Sequence, residues 1–327
     1  MRVGLVGSGV MGEVHAAGWR TTAAELVGVY SQNAAQAERL AEEQGVKRFD
    51  GLEALLKAVD IVDICVPTYA HKAAVLAAAR AGKHILCEKP IALSVKDGEE
   101  MIAACNAAGV RLFIAMVLRF FPQYRLSRQL IEKGQIGSLG VMRLKRVSAP
   151  PNWAEGGDNW YTDEARSGGM VVDLMIHDFD YARWLAGGVE RVFARLNRAE
   201  EGHGQYAQVI LRHKSGPMAL IEGGWAYPKG MFRTSLDISG TDGLIEWSSD
   251  SAGPLQTFTL SRDGNGAGVN IPVAGLSEDP YALEIQHAYG AIVGNQPFEV
   301  TAEDGLEALR IALAAKQSIA TGKAVSL

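Results

Sequence analysis

Two periodicities take turns along the first 116 residues. Continuous apolar runs at 3–6, 26–30, 61–66, 84–87 and 111–116 are separated by stretches with helical spacing at 10–19, 34–44, 52–59, 73–81 and 95–108. Runs that stay apolar on both sides of a strand belong to a sheet covered on both faces. Such strands alternating with helices predict a doubly wound parallel α/β sheet, with its ligand at the carboxyl ends of the strands. Past Arg119 the alternation stops, which places a domain boundary near 120 and divides the chain into 1–120 and 121–327. The second part opens with an amphipathic helix over 122–133 and a strand over 141–147. Segments 189–196, 205–212, 218–225, 234–239, 244–247 and 256–260 then alternate enough to read as successive antiparallel strands. Helices over 281–293 and 302–320 close the chain.

Composition narrows the class. The 327 residues are enough for two cores, and 48% hydrophobic with 21% charged residues is ordinary for a globular protein. A formal net charge of −5 gives no electrostatic case for nucleic acid or an anionic membrane. No apolar run reaches membrane-spanning length, and the glycine-broken N-terminus is too short for a signal segment. Cys65, Cys87 and Cys105 are odd in number and lack metal-ligand spacing, so they read as reduced thiols in a cytoplasmic protein with no metal centre.

Two stretches carry candidate chemistry. Gly7-Ser8-Gly9-Val10-Met11-Gly12 follows the first strand and opens the first helix. In that context the first glycine allows a tight turn, the second lets a pyrophosphate approach the backbone, and the third lets helix pack on strand. The helix N-terminus then offers its free N–H groups to phosphate. At the end of the second strand, Tyr30-Ser31-Gln32-Asn33 holds no acid. An acid there would bind a ribose 2′-hydroxyl and repel a 2′-phosphate, so its absence permits NADP and slightly favours it over NAD. No matching cation for that phosphate is obvious, although Arg39 is one candidate. The second stretch, 167–185, reads as one largely apolar helix opened by Gly168 and Gly169. Asp173, His177 and Asp180 fall on one face at i, i+4 and i+7. Unpaired charges on such a helix would cost a few kcal/mol each, on the order of the burial penalty, so the stripe faces a cleft or is internally paired.

At this point the chain resembles the Gfo/Idh/MocA oxidoreductases, the group of glucose–fructose oxidoreductase and inositol 2-dehydrogenase. The resemblance runs over essentially the whole sequence. It rests on Gly7–Gly12 with His15-Ala16 behind it, on Pro67-x-x-x-His71, on Ala81-Gly82-Lys83-His84-Ile85-Leu86-Cys87-Glu88-Lys89-Pro90, and on Arg119-Phe120. Ser167-Gly168-Gly169 with Asp173-x-x-x-His177-x-x-Asp180, in a version close to inositol dehydrogenases, and the tail from Asp304-Gly305 to Lys323 complete it. The resemblance implies a Rossmann domain followed by an α+β domain with a large open, mainly antiparallel sheet. It implies hydride transfer between a nicotinamide, NADP or NAD, and a hydroxyl carbon of a sugar or polyol. Matching positions make Lys89, Asp173 and His177 catalytic.

The residue types suit those roles. Imidazole titrates near neutrality, so His177 is the candidate base. Lys89, just past a strand's carboxyl end, is the candidate polariser of the reacting oxygen. Asp173, one turn before His177, orients the ring or holds a neighbouring substrate hydroxyl. Ser31, Pro67, His71, Glu88 and Lys89 join the glycine loop as candidate cofactor contacts. His15 reads as a helix residue behind the phosphate loop. Pro90 fixes the turn presenting Lys89, and its peptide bond is a candidate for cis. Trp153 and Trp160 sit in a loop rich in aromatics and amides, a composition suited to stacking on a sugar ring, and are candidate substrate contacts. His203 and His213 have no ligand spacing. Strands such as 218–225 leave an apolar sheet face for a second copy, so a homodimer or homotetramer is expected. Two other readings use the same residues: a glycosidase-like relative that retains its cofactor, and a non-catalytic NAD(P)-binding sensor. The presence of both Lys89 and His177 favours the enzyme.

Overall fold

Strands β1 (Arg2–Val6), β2 (Glu25–Tyr30), β3 (Lys47–Arg48), β4 (Ile61–Ile64), β5 (His84–Glu88) and β6 (Leu112–Ala115) form one sheet in the order β3-β2-β1-β4-β5-β6, every pair parallel. The connections are α1 (Val10–Trp19), α2 (Ala34–Gln44), α3 (Leu52–Ala58), α4 (His71–Arg80) and α5 (Val95–Ala107). Boundaries follow local chemistry. Asn33 caps α2 by accepting the Gln36 N–H at 3.1 Å, and Gly45 ends it in the left-handed region. Ser94 caps α5 by accepting the Asp97 N–H at 3.1 Å. The strand order reverses between β1 and β4, and a doubly wound sheet receives its ligand at that switch, beyond the carboxyl ends. Gly7, Cys65–Pro67 and Glu88–Lys89 all stand at those ends.

Helix α6 (Pro122–Glu132) opens the second part, followed by β7 (Leu139–Ser148) and the short helices α7 (Glu164–Ser167) and α8 (Met170–Asp173). Then come α9 (Ile176–Ala186), β8 (Val189–Arg198), β9 (Gln205–His213), β10 (Met218–Trp225), β11 (Phe232–Gly240), β12 (Gly243–Ser248) and β13 (Gln256–Thr259). The chain ends in α10 (Pro280–Val293), α11 (Ala302–Thr321) and β14 (Val325–Ser326). The structure is a computed structural model, and its described residues are 1–151, 160–198, 204–251, 256–259 and 279–327. Two compact units result: Met1–Phe120 with Glu278–Leu309, and Phe121–Ser277 with Arg310–Leu327.

Among the described residues the second unit's sheet has eight strands, in the order β13-β12-β11-β7-β10-β9-β8-β14. It is mainly antiparallel, as expected, but the strands do not simply follow one another: β7 inserts between β10 and β11 and runs parallel to β10. Strand β9 shows why alternation was readable. Ala207, Val209 and Leu211 are buried while Gln208, Ile210 and Arg212 are exposed. On the buried face lie α8 and α9, with Phe179, Tyr181 and Ala182 fully enclosed. In the first unit α10 packs on α1, where Gly18 leaves room for Ile285 and Trp19 meets Tyr289 edge to face at 6.2 Å.

Candidate active site

The glycine loop of the first unit has the backbone that its sequence requires. Gly7 has φ +112°, and a Cβ there would lie 2.5 Å from the Cys65 carbonyl oxygen, so no other residue fits. Its N–H donates to Tyr30 O at 2.8 Å, tying the loop to β2. Gly12 packs directly on the Gly7 carbonyl, while a Cβ on Gly9 would meet nothing within 4 Å. Helix α1 begins at Val10, with Met11 in its first turn, so its leading N–H groups stand at the carboxyl end of β1. Ser8 is buried, and among the described residues its Oγ has no hydrogen-bond partner. A cradle open at Gly9 with an unsatisfied hydroxyl beside a helix N-terminus fits a dinucleotide pyrophosphate. At the end of β2, Ser31 Oγ accepts the Asn33 N–H at 3.3 Å. Arg39 pairs with Glu13 and with Glu43 (2.8 Å), so the candidate cation is already engaged.

The turn after β5 is fastened from several sides. Glu88 is buried. Its Oε1 lies 3.0 Å from His15 Nε2, and its Oε2 accepts the Lys89 N–H at 3.0 Å. The Lys89–Pro90 peptide bond is cis, and Lys89 is half-buried. His71, buried at the start of α4 behind the turn that Pro67 opens, brings Nδ1 to 2.8 Å from Pro90 O and Nε2 to 3.0 Å from Val66 O. Burial holds that ring below its usual pKa. Neutral His71 thus bridges the turns after β4 and β5, donating to one carbonyl at a time.

Glu284 of α10 belongs to the same neighbourhood, where Glu88, His15 and Asp63 act on it electrostatically. It is fully enclosed, and among the described residues neither carboxyl oxygen has a hydrogen-bond partner. Burial, with Glu88 adding to it, pushes its pKa well above the usual carboxyl range. A raised acid keeps its proton when folded after the unfolded chain has lost it. Stability therefore falls as pH rises from the ordinary carboxyl range toward the folded value, at about 1.4 kcal/mol per pH unit. Glu284→Gln removes that slope. Denaturant unfolding of both proteins at pH 5 and pH 8 is expected to show the variant gaining on wild type as pH rises; parallel profiles would contradict a raised Glu284.

In the second unit the 167–185 stretch is not one helix. Helix α8 ends at Asp173 and α9 starts at Ile176. Across the break the Met175 N–H reaches back five residues to Met170 O (3.3 Å), and the Asp178 N–H reaches back only three, to Met175 O (3.0 Å). The side chain of Met175 occupies the space left by Gly223 of β10, where any Cβ would collide with it. That seat supplies a tertiary reason for the break. Before it, Gly168 (φ +84°) and Gly169 (φ +78°) form the turn. Ser167 Oγ accepts the Gly169 N–H at 3.0 Å, and Lys316 Nζ donates to Gly168 O at 2.9 Å while pairing with Glu164 at 3.0 Å.

The three ionisable groups are not equivalent. Asp173 is buried, His177 half-buried and Asp180 wholly enclosed, so the stripe is not uniformly open to a cleft. Asp178, off the stripe, is the group paired with Arg146 of β7: Nε donates to Oδ2 at 2.7 Å and Nη2 to Oδ1 at 3.2 Å. Burial raises the Asp178 carboxyl and the guanidinium pulls against it. Arg146 does not stand out in the sequence, and nothing there pairs it with Asp178. An acid beside His177 on a helix that is otherwise greasy was the available signal. Trp160 is half-buried and stacks on Tyr161 at 3.9 Å, and Trp153 and His203 lie outside the described residues. His213 is buried, with Nδ1 2.9 Å from Gly187 O, a structural role.

Known proteins resemble the chain over its full length. Residues 1–116 match the family model described as oxidoreductase family, NAD-binding Rossmann fold, and residues 128–327 match its C-terminal alpha/beta domain. A myo-inositol 2-dehydrogenase of Thermotoga maritima is 30% identical, covering 100% of this chain and 98% of its own. A 1,5-anhydro-D-fructose reductase of Ensifer adhaerens is 30% identical with the same coverage. A crystal structure of a putative myo-inositol dehydrogenase from Sinorhizobium meliloti superposes with a TM-score of 0.82 at 29% identity, covering 100% of this chain and 99% of that one.

Proposed function

The chain belongs to the Gfo/Idh/MocA oxidoreductase family, with an NAD-binding Rossmann domain, and from that premise we propose a dehydrogenase acting on a hydroxyl carbon of a sugar or cyclic polyol. The observation that carries the reading is the dinucleotide cradle: left-handed Gly7, Gly12 seated on its carbonyl, and the unsatisfied Ser8 hydroxyl at the head of α1. A nicotinamide cofactor held there supplies a hydride acceptor or donor. Lys89 hydrogen-bonds the reacting oxygen and stabilises the negative charge that grows on it. His177 takes the hydroxyl proton in oxidation and returns it in reduction. Asp173 fixes the imidazole or holds the neighbouring hydroxyl. Relatives named for inositol and anhydrofructose make cyclic polyols and their ketones the first substrates to try.

Either nicotinamide dinucleotide is accepted in this reading, with NADP slightly favoured because Tyr30–Asn33 carries no acid to repel a 2′-phosphate. Arg39 would have to leave Glu13 and Glu43 to meet that phosphate, so the preference is small, under about tenfold in kcat/KM. The test is a panel of inositols, aldoses, anhydro sugars and lactones, followed at the reduced-nicotinamide absorbance with NAD and NADP in parallel. Turnover confined to non-carbohydrate alcohols, or none with cofactor bound, would overturn the reading.

A homodimer or homotetramer is also part of it. Ile210, Met218 and Leu220 lie exposed on the outer side of β9 and β10, Leu220 directly opposite Ile210. Their apolar surface suits a second copy. Sedimentation equilibrium at micromolar concentration is expected to give a multiple of the 35.0 kDa chain; a monomer would exclude it.

A further inference from the structure

We propose that His15 is a positioning residue for Lys89, acting through Glu88. The imidazole of α1 bridges a carboxylate on β4 to the carboxylate that holds the Lys89 backbone. His15 is fully buried. Its Nδ1 lies 2.9 Å from Asp63 Oδ2, and its Nε2 lies 3.0 Å from Glu88 Oε1. Ionised carboxylates only accept, so the two bonds require a proton on both ring nitrogens, an imidazolium. Asp63 is itself pinned, because Trp19 Nε1 donates to its Oδ2 at 2.6 Å. The remaining oxygen of Glu88 accepts the Lys89 amide at 3.0 Å. The chain of contacts runs Trp19, Asp63, His15, Glu88, Lys89, and it spans α1, β4 and β5.

Each oxygen of Glu88 therefore meets one donor, and while the ring is an imidazolium a glutamine cannot satisfy both. An amide offers one acceptor oxygen and presents its NH₂ to whichever donor it leaves. The same helix, α1, begins at the cofactor loop and carries His15 in its second turn. One rigid element thus joins the cofactor cradle to the turn that presents Lys89. Groups facing the imidazole are Asp63 and Cys65 from β4 and the turn after it, Glu88 of β5, and Glu284 of α10. Cys65 Sγ lies 3.3 Å from Nδ1, and burial keeps its thiol protonated. Burial is the strongest single influence and opposes the imidazolium, but Asp63 and Cys65 together outweigh it, and the ring is held above its usual pKa. The bridge is complete below that folded value and loses one bond as pH rises through it.

The proposal rests on the reading of Lys89 as the group that meets the reacting oxygen, and its test needs no turnover. Residue-resolved amide hydrogen exchange on the full chain reads the Lys89 N–H directly, with Ile85 of β5, bonded to Arg111 O, as the reference. In His15→Gln and Glu88→Gln, Lys89 is expected to exchange about tenfold faster or more while Ile85 stays within about twofold. Asp63→Asn keeps an acceptor but removes the charge that holds the ring protonated. Its Lys89 protection, corrected for intrinsic exchange, is expected to vanish at lower pH than in wild type, a shift that mere packing would not give. Unchanged Lys89 protection in folded His15→Gln overturns the proposal. Where that variant does not fold, an unchanged pH profile in Asp63→Asn overturns it. A Lys89→Met enzyme that keeps turnover removes the role of Lys89 but leaves the exchange result standing, so the two failures are separable.

Discussion

Lys89→Met is expected to lower kcat by about two to three orders of magnitude and to leave cofactor affinity within about threefold of wild type. Methionine keeps the unbranched stem and removes the ammonium. The backbone amide that Glu88 holds is untouched, so the turn keeps its fastening and the cis Pro90 its place. What disappears is one donor aimed at an oxygen whose charge grows during hydride transfer. Such donors act mainly on the transition state, which is why kcat carries the loss rather than cofactor binding. His177→Asn removes the proton acceptor and is expected to cost about two to four orders of magnitude in kcat, with an altered pH profile. Stopped-flow measurement of the hydride step on the best substrate of the panel separates chemistry from product release. Near-wild-type rates in both variants would dismiss both assignments.

The first sheet was legible because each of its signals is local. Apolar runs marked the strands, Asn33 and Gly45 bounded α2 at the residues expected, and the glycine loop declared itself between a strand and a helix. The second sheet was legible as strands, since β9 and β10 alternate, but not as an order. No residue of β7 announces that β10 will lie parallel beside it, because pairing is decided by what the two buried faces must cover. The same limit applies around the ionisable groups. Periodicity carried the helix from Gly169 straight through Leu174 and Met175, whereas the break depends on a glycine in β10, 48 positions after Met175. His15 touches Asp63 and Glu88 across separations of 48 and 73 residues. His15 and Glu88 were marked by their motifs, but their contact was not, and Asp63 is an acid inside a strand whose four residues are all buried. Lys316 reads in the sequence as a solvated helix end, yet it holds the Gly168 carbonyl.

The Arg146–Asp178 pair carries the largest stability effect, and Asp178→Ala is expected to destabilise by about 3–5 kcal/mol. Both groups are enclosed, Asp178 completely, and the guanidinium binds both carboxylate oxygens. Removing the carboxylate strands a buried cation whose remaining hydrogen bond among the described residues is a long one, Nη2 to the Tyr124 hydroxyl at 3.5 Å. Tyr124 cannot relieve it by ionising, since burial raises that phenol to about 12. The loss thus reflects an uncompensated charge, not the net worth of the pair. Replacing both partners, Arg146→Met with Asp178→Leu, is accordingly expected to recover most of the stability, a coupling that a double-mutant cycle in denaturant measures directly. Asp178 follows His177 in the chain and anchors α9 to β7, so a folded Asp178→Asn variant, which retains one acceptor oxygen, should also lose turnover through a misplaced imidazole. A cost below about 1 kcal/mol for Asp178→Ala would mean that water or a neighbouring group reaches Arg146. In that case α9 is held by the packing of Phe179 and Tyr181 alone.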